Sequence, residues 1–211
     1  MTDEQRKILI EEQVNKLLEE GVVISKNDSQ KLNKCVDDLQ DFLLKNKTAR
    51  KDKGDDVDSL YGEYRELMTE LFKTLKDIKY NTTFSKDDFD FIKRTLSIDR
   101  KYNRQDVFMG LTVKKDFLEV NKNKKESESI LVTIDDITRI SYLFSTFEIK
   151  GLGKDSQTFA SVIEKIVNIT NIYNHYDKKA EEISTIAGNW IQGLEPEQTN
   201  EGELISEPQA E

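Results

Sequence analysis

The chain contains one histidine, His175, and one cysteine, Cys35. Neither of them has other side chains at a spacing that would supply the further catalytic groups, such as a general base and the residue that orients it, which nucleophilic catalysis requires. A structural zinc site needs about four histidine or cysteine ligands, which two residues cannot supply. We therefore expect a histidine on a helix surface, a packed and inert thiol, no metal site and no cofactor. The protein is predicted not to be an enzyme.

Two other patterns resemble ligand-binding loops, but each fails at a required position. The carboxylates of residues 52–63 suggest a calcium loop, yet Val57 stands where an EF-hand loop needs glycine. Gly151 and Gly153 with Lys154 suggest a phosphate loop, yet Asp155 follows the lysine in place of serine or threonine. We interpret the first pattern as a linker with a helix N-cap. The glycines of the second pattern interrupt the secondary structure before a predicted helix, and the N-terminus of this helix is a candidate anion site.

Positive charge is concentrated in the middle of the chain. Residues 93–125 hold ten basic and four acidic groups, a net charge of +6, whereas the whole chain carries −9. Tyr102, Phe108 and Phe117 lie among these cations, and cations beside aromatic rings can hold phosphates and stack bases. The candidate nucleic-acid-binding residues are Lys93, Arg94, Arg100, Lys101, Arg104, Lys114 and Lys115. The alternative is a solvated surface that offsets the acidic remainder.

The last residues form an acidic tail. Residues 195–211 contain six glutamates, no basic residue and both prolines of the chain, Pro196 and Pro208. This composition is typical of a disordered segment. Three roles stay open: occupying the basic segment of the same protein, docking on a basic partner, or keeping the protein in solution. Leu204 and Ile205 inside the tail are a candidate docking motif.

Most of the elements that must position these residues are helices. Apolar residues at helical spacing predict helices at 3–20, 29–45, 56–79, 84–96, 136–147 and 155–187. Gly21 and Gly188 are expected to end the first and the last helix, with Trp190 and Ile191 packing back. At 84–96 Ser85 and Asp88 occupy the positions of a capping box. Phe84 and Phe89 occupy those of a hydrophobic staple.

Strand-forming residues are grouped near 106–134. Residues 107–113, 117–120 and 130–134 are rich in β-branched and aromatic residues and predict a two- or three-stranded antiparallel sheet. The expected fold is mainly α (α+β): a helical hairpin or bundle with this small β insert, a long C-terminal helix and the disordered acidic tail. The expected segments are an N-terminal helical hairpin at 1–50, a helical segment at 51–104, a sheet with helices at 105–192, and the tail at 193–211.

These features favour binding over catalysis. We expect a non-enzymatic interaction protein, a structural, scaffolding or assembly component of a larger complex, with protein partners or self-association through its helices. The composition resembles that of accessory structural and assembly proteins of tailed bacteriophages, with no motif that fixes a family. The alternative is a nucleic-acid-associated protein that uses residues 93–125, with the tail modulating access. A charged N-terminus, one cysteine and no apolar run of about 20 residues predict a cytoplasmic protein (host cytoplasm or virion if viral) without a membrane partner.

Overall fold

The computed structural model describes residues 2–49, 56–96, 104–124, 128–145 and 153–192. These residues form seven helices and one two-stranded antiparallel sheet. The helices are α1 (Asp3–Glu20), α2 (Lys26–Asn46), α3 (Val57–Asp77), α4 (Lys86–Leu96), α5, α6 (Ile134–Ser145) and α7 (Lys154–Gln192). Helix α5 is α-helical over Arg104–Thr112, π-helical over Val113–Leu118 and α-helical again over Glu119–Asn121. The strands are β1 (Tyr80–Thr83) and β2 (Ser129–Val132). The mainly α fold with a small sheet and a long C-terminal helix is confirmed, whereas the tail lies outside the described residues.

Helix α7 is the axis of the fold. It packs against α1, α2, α3, α4 and α6. Steps of three and four residues keep one apolar stripe turned toward the core along its length. The buried residues of this stripe are Val162, Ile166, Ile169, Ile172, Tyr176, Ala180, Ile183, Ala187 and Trp190. One apolar core consequently includes residues from α1 to α7. The division of the chain into separate segments stays a prediction.

The predicted end of the last helix at Gly188 is wrong, because the helix continues to Gln192. Trp190 is buried and packs edge-on against Phe42, with ring centroids 6.1 Å apart. Its indole Nε1–H donates to the carbonyl of Asn46 at 2.9 Å. A glycine inside a helix costs only about 1 kcal/mol, which the burial of a tryptophan outweighs. Packing therefore overrides the local stop signal.

The N-terminal helices follow the predicted signals closely. Helix α1 ends at Gly21, which adopts the left-handed conformation with φ 66° and donates its N–H to the carbonyl of Leu17. Helices α2 and α3 pack on each other, and the predicted stripe of α2 is buried, namely Leu32, Val36, Leu39 and Leu43. The predicted linker at 45–56 falls between these two helices, and residues 50–55 lie outside the described part of the chain.

Two of the three predicted strands are helical. Residues 107–113 and 117–120 lie in α5, and their burial has a helical period. Val113 and Phe117, four residues apart, are buried, whereas Leu111 and Val120 are exposed. Strand propensity is overridden because Phe117 packs against Phe84. The third prediction, at 130–134, is confirmed in part by β2.

The sheet joins the two ends of the α4–α5 segment. Strand β1 pairs with β2 in a register that places Tyr80 opposite Val132 and Thr83 opposite Ser129. The Ser129 hydroxyl also donates to Asn81 Oδ1 across the pair. On its other side, the N–H of Asn81 donates to the carbonyl of Val23 at 2.7 Å. The α1–α2 connection therefore lies beside β1.

A buried ion pair fixes α4 on α7. Asp88 is 1% exposed, and its Oδ2 accepts a hydrogen bond from Lys165 Nζ at 2.7 Å. The same oxygen accepts the N–H of Ser85 at 2.8 Å, and the N–H of Asp88 donates to Ser85 Oγ, which completes the predicted capping box. Lys165 also donates to Ser161 and lies 5.5 Å from the centroid of the Phe84 ring. The negative charge of Asp88 is thus paired inside the core.

Replacing Lys165 with methionine is expected to lower the free energy of unfolding by about 2–4 kcal/mol, because the Asp88 carboxylate would stay buried without its cation. Denaturant unfolding measures this change. Lys178→Met is the matched control: its pair with Glu182 is well exposed, so its loss should cost less than about 0.5 kcal/mol. Equal losses in the two variants would show that the buried pair does not hold α4 on α7.

The hydroxyl of Tyr80 is buried without a hydrogen-bond partner among the residues that the structure describes. The side chain is fully buried beside the phenols of Tyr173 and Tyr176. This burial raises the pKa of Tyr80. Tyr176 differs, because its hydroxyl donates to Asn33 Oδ1 at 3.0 Å and lies within 3.4 Å of Ser29 Oγ.

Tyr80→Phe should therefore leave the free energy of unfolding unchanged or raise it by up to about 1 kcal/mol, because a buried polar group without a partner is removed. Tyr176→Phe should lower it by about 1 kcal/mol, because its hydrogen bond to Asn33 is lost. Thermal or denaturant unfolding of both variants measures these changes in the free energy of unfolding. A loss in Tyr80→Phe as large as that in Tyr176→Phe would show that the Tyr80 hydroxyl has a stabilising partner.

Candidate binding cleft

A cleft of about 510 Å³ lies between α4 and the second half of α5. Its floor is apolar, formed by Phe84, Phe89, Leu96 and Leu118. Its rim carries five lysines, Lys86, Lys93, Lys114, Lys122 and Lys124. We call this site the lysine cleft. Asp90, Glu119 and Asn121 also line it, so its charged side chains sum to +3.

The floor is set by three phenylalanines in mutual contact. The rings of Phe84, Phe89 and Phe117 have centroids 5.7 Å apart in each pair. Phe84 and Phe89 form the predicted hydrophobic staple at the start of α4, and Phe117 lies in the π-helical turn of α5. The staple therefore fixes the entry of α4 and at the same time provides the surface on which α5 packs.

Helical spacing brings the lysines to one rim. Lys86 and Lys93 are seven residues apart, two turns of α4, and so lie on the same face. Lys122 and Lys124 form exposed ion pairs with Glu119 and Glu128, at 3.1 and 3.0 Å. Within the described part of the chain, neither Lys86 nor Lys114 makes an ion pair.

The structure brings two of the predicted nucleic-acid-binding residues into the cleft, Lys93 and Lys114. Arg94 does not line it, because its guanidinium lies over the Phe91 ring, 5.7 Å from the centroid. Lys115 is exposed beside Lys114 but is also not part of the lining. Arg100 and Lys101 lie outside the described residues. Arg104 begins α5, and its side chain is not described.

Three lining lysines were not among the predicted site residues: Lys86, Lys122 and Lys124. Lys122 and Lys124 belong to the predicted basic segment. Lys86 precedes it, and its helical spacing from Lys93 was the signal that could have identified it.

The chemistry of the cleft favours recognition of an anion that carries an apolar group. The lysine ammonium groups are cationic hydrogen-bond donors on flexible stems, which suit carboxylates and phosphates. Phe84 is only 1% exposed and Phe89 is half-buried, so the floor offers an apolar surface more than open rings for stacking bases. No group of three or more His, Cys, Asp or Glu side chains among the described residues is placed to hold a metal ion.

Neither His175 nor Cys35 lines the cleft. His175 is half-buried and meets the Tyr176 ring edge-on, with centroids 5.2 Å apart. Burial, followed by the charge of Lys179, lowers the pKa of this imidazole. Cys35 lies partly buried on α2, and burial raises the pKa of its thiol, which favours the unreactive form.

The lowered pKa of His175 predicts a pH-dependent loss of stability. The folded state disfavours the charged imidazole, so the unfolded chain binds the proton more readily. Relative to His175→Gln, the free energy of unfolding of the wild-type chain should fall as the pH decreases below about 6.5 and stay constant above it. Denaturant unfolding of both proteins across this range measures the difference. A pH-independent difference would contradict the prediction.

Within the described ranges, no helix has both the length and the apolar character needed to cross a membrane. Comparison with protein-family models, with curated proteins and with solved structures finds no match to this chain. Function must therefore be inferred from the lysine cleft and the charge distribution.

Proposed function

We propose that this is a non-enzymatic interaction protein, a structural, scaffolding or assembly component, that binds an acidic segment of a partner protein in the lysine cleft. The observation that carries the proposal is the convergence of five lysines around an apolar floor. The cleft is large enough for a few side chains, within the range of ligand-binding cavities. A short peptide segment therefore fits it better than a folded surface.

The energetics require both the charges and the floor. Partly exposed ion pairs contribute only about 0.2–1 kcal/mol each, so the lysines alone would bind weakly. Burying one leucine-sized side chain on the floor contributes about 1.5–3 kcal/mol. We therefore expect the partner segment to combine several carboxylates with at least one large aliphatic residue.

The two ion pairs described at the rim, Lys122 with Glu119 and Lys124 with Glu128, do not block such a segment. The side chains of Lys122 and Glu119 are 62% and 55% exposed, and those of Lys124 and Glu128 are 40% and 44% exposed. Pairs with this exposure are weak, so an incoming carboxylate can replace Glu119 or Glu128 at little cost.

The proposal predicts that a labelled synthetic peptide of alternating glutamate and leucine binds the full-length chain at low salt. Lys93→Glu/Lys114→Glu should weaken this binding at least about tenfold, because two attractive contacts become repulsive. The control is Lys34→Glu/Lys45→Glu, which makes the same charge change on α2 and should leave the affinity within about twofold. Fluorescence anisotropy measures both, with circular dichroism to confirm folding.

Replacing the leucines of the peptide by serine should also weaken binding, because the apolar floor then has no partner. The proposal would be falsified if the peptide, even in large excess, fails to bind the wild-type chain, or if the α2 control weakens binding as much as the cleft variant.

The second candidate function is association with nucleic acid, which the presence of both Lys93 and Lys114 in one cleft favours. Single- and double-stranded DNA and RNA serve as competing probes in the same assay. Tight binding to them that weakens steeply with salt, and that is lost on charge reversal at Arg100, Lys101 and Arg104, would favour this function over the first.

A further inference from the structure

We infer that residues 201–207 of a second copy of this chain occupy the lysine cleft, so that two copies exchange their acidic tails. This inference rests on the proposed function, because it names the acidic segment that the cleft binds. It follows from the composition of the tail, from the charge of the cleft and from the distance between the cleft and the end of α7.

The composition of residues 201–207 matches the cleft. This segment reads EGELISE and contains three glutamates and two large aliphatic residues, Leu204 and Ile205. Its charge of −3 equals in size the +3 of the cleft lining. In an extended conformation, side chains alternate between two faces. One face would then carry Glu201, Glu203, Ile205 and Glu207, which places one aliphatic group among three carboxylates.

The distance between the cleft and the end of α7 disfavours binding of the tail of the same copy. The cleft floor lies beside Lys165, whose Nζ is 5.5 Å from the centroid of the Phe84 ring. From Lys165 to the end of α7 at Gln192, the helix extends about 40 Å. Ile205 follows Gln192 by 13 residues, which span at most about 43–47 Å when fully extended.

Binding within one copy would therefore require an almost straight tail along α7 from Gln192 back to Lys165. Fixing the backbone costs about 1–2 kcal/mol per residue, and residues 193–200, between Gln192 and the segment in the cleft, would be held without contacting the cleft. A second copy removes this restriction. When two copies lie antiparallel, the end of each α7 approaches the cleft of the other, and the two interfaces are identical by symmetry.

A charge-swap experiment with full-length chains tests the exchange. The cleft variant is Lys93→Glu/Lys114→Glu and the tail variant is Glu201→Lys/Glu203→Lys. The substituted lysines are exposed side chains, and circular dichroism confirms that both variants fold. Sedimentation velocity at low salt measures the mass of the wild type, of each variant, and of the two variants mixed in equal amounts.

We expect the wild type to be a dimer and each variant alone to be a monomer, because like charges then meet at both interfaces. The mixture should form dimers again, because the acidic tail meets the unchanged cleft and the basic tail meets the reversed cleft. Leu204→Ser/Ile205→Ser should weaken the wild-type dimer at least about tenfold, through the loss of apolar burial.

Three results would each overturn the inference: a wild type that is monomeric at every concentration, variants that dimerise as well as the wild type, or a mixture that remains monomeric. The last result, with dimeric wild type, would place the interface elsewhere. The peptide assay separates this failure from failure of the proposed function. Lysine-dependent binding of the glutamate–leucine peptide by a monomeric wild type removes only the tail exchange. Failure of the peptide to bind the tail variant, whose cleft is unchanged and whose own tail no longer competes for it, removes both.

Discussion

The carboxylate of Asp88 is the group on which the arrangement of α4 depends. It closes the capping box with Ser85 and accepts the ammonium group of Lys165, so a single side chain both starts α4 and attaches it to α7. A carboxylate that is 1% exposed is stable only while these donors stay in place. The position of Phe84 follows, because it directly precedes the capping box and lies beside Lys165. The floor of the lysine cleft thus rests on a polar interaction behind it.

Interactions between neighbours in the chain could be predicted, and interactions between distant residues could not. The capping box and staple around Ser85 and Phe89 were predicted correctly because all their members lie within six residues. The strands predicted in α5 are wrong because propensity is a local quantity, and the contact of Phe117 with Phe84 is not. Strand β1 was not predicted because a four-residue strand is stable only through its pairing with β2, 46 or more residues away.

The candidate site likewise combines a local feature that could be predicted with a packing arrangement that could not. The local concentration of positive charge singled out residues 93–125, and Lys93 and Lys114 of this segment line the cleft. Charge content alone does not show which of these cations share that face, because successive residues of a helix point about 100° apart. Arg94 therefore contacts Phe91 instead. The pairing of two helices across the cleft depends on packing that only the folded chain provides.

The π-helical turn of α5 limits which sequence changes the lysine cleft can tolerate. A π-turn holds one residue more than an α-helical turn, and here the N–H of Glu119 donates to the carbonyl of Lys114, five residues before it. Deleting one residue from Val113–Leu118 would restore regular α-helical hydrogen bonding. It would also rotate Lys122 and Lys124 by about 100° relative to Lys114 and remove them from the rim. A more regular helix and a complete cleft are thus mutually exclusive.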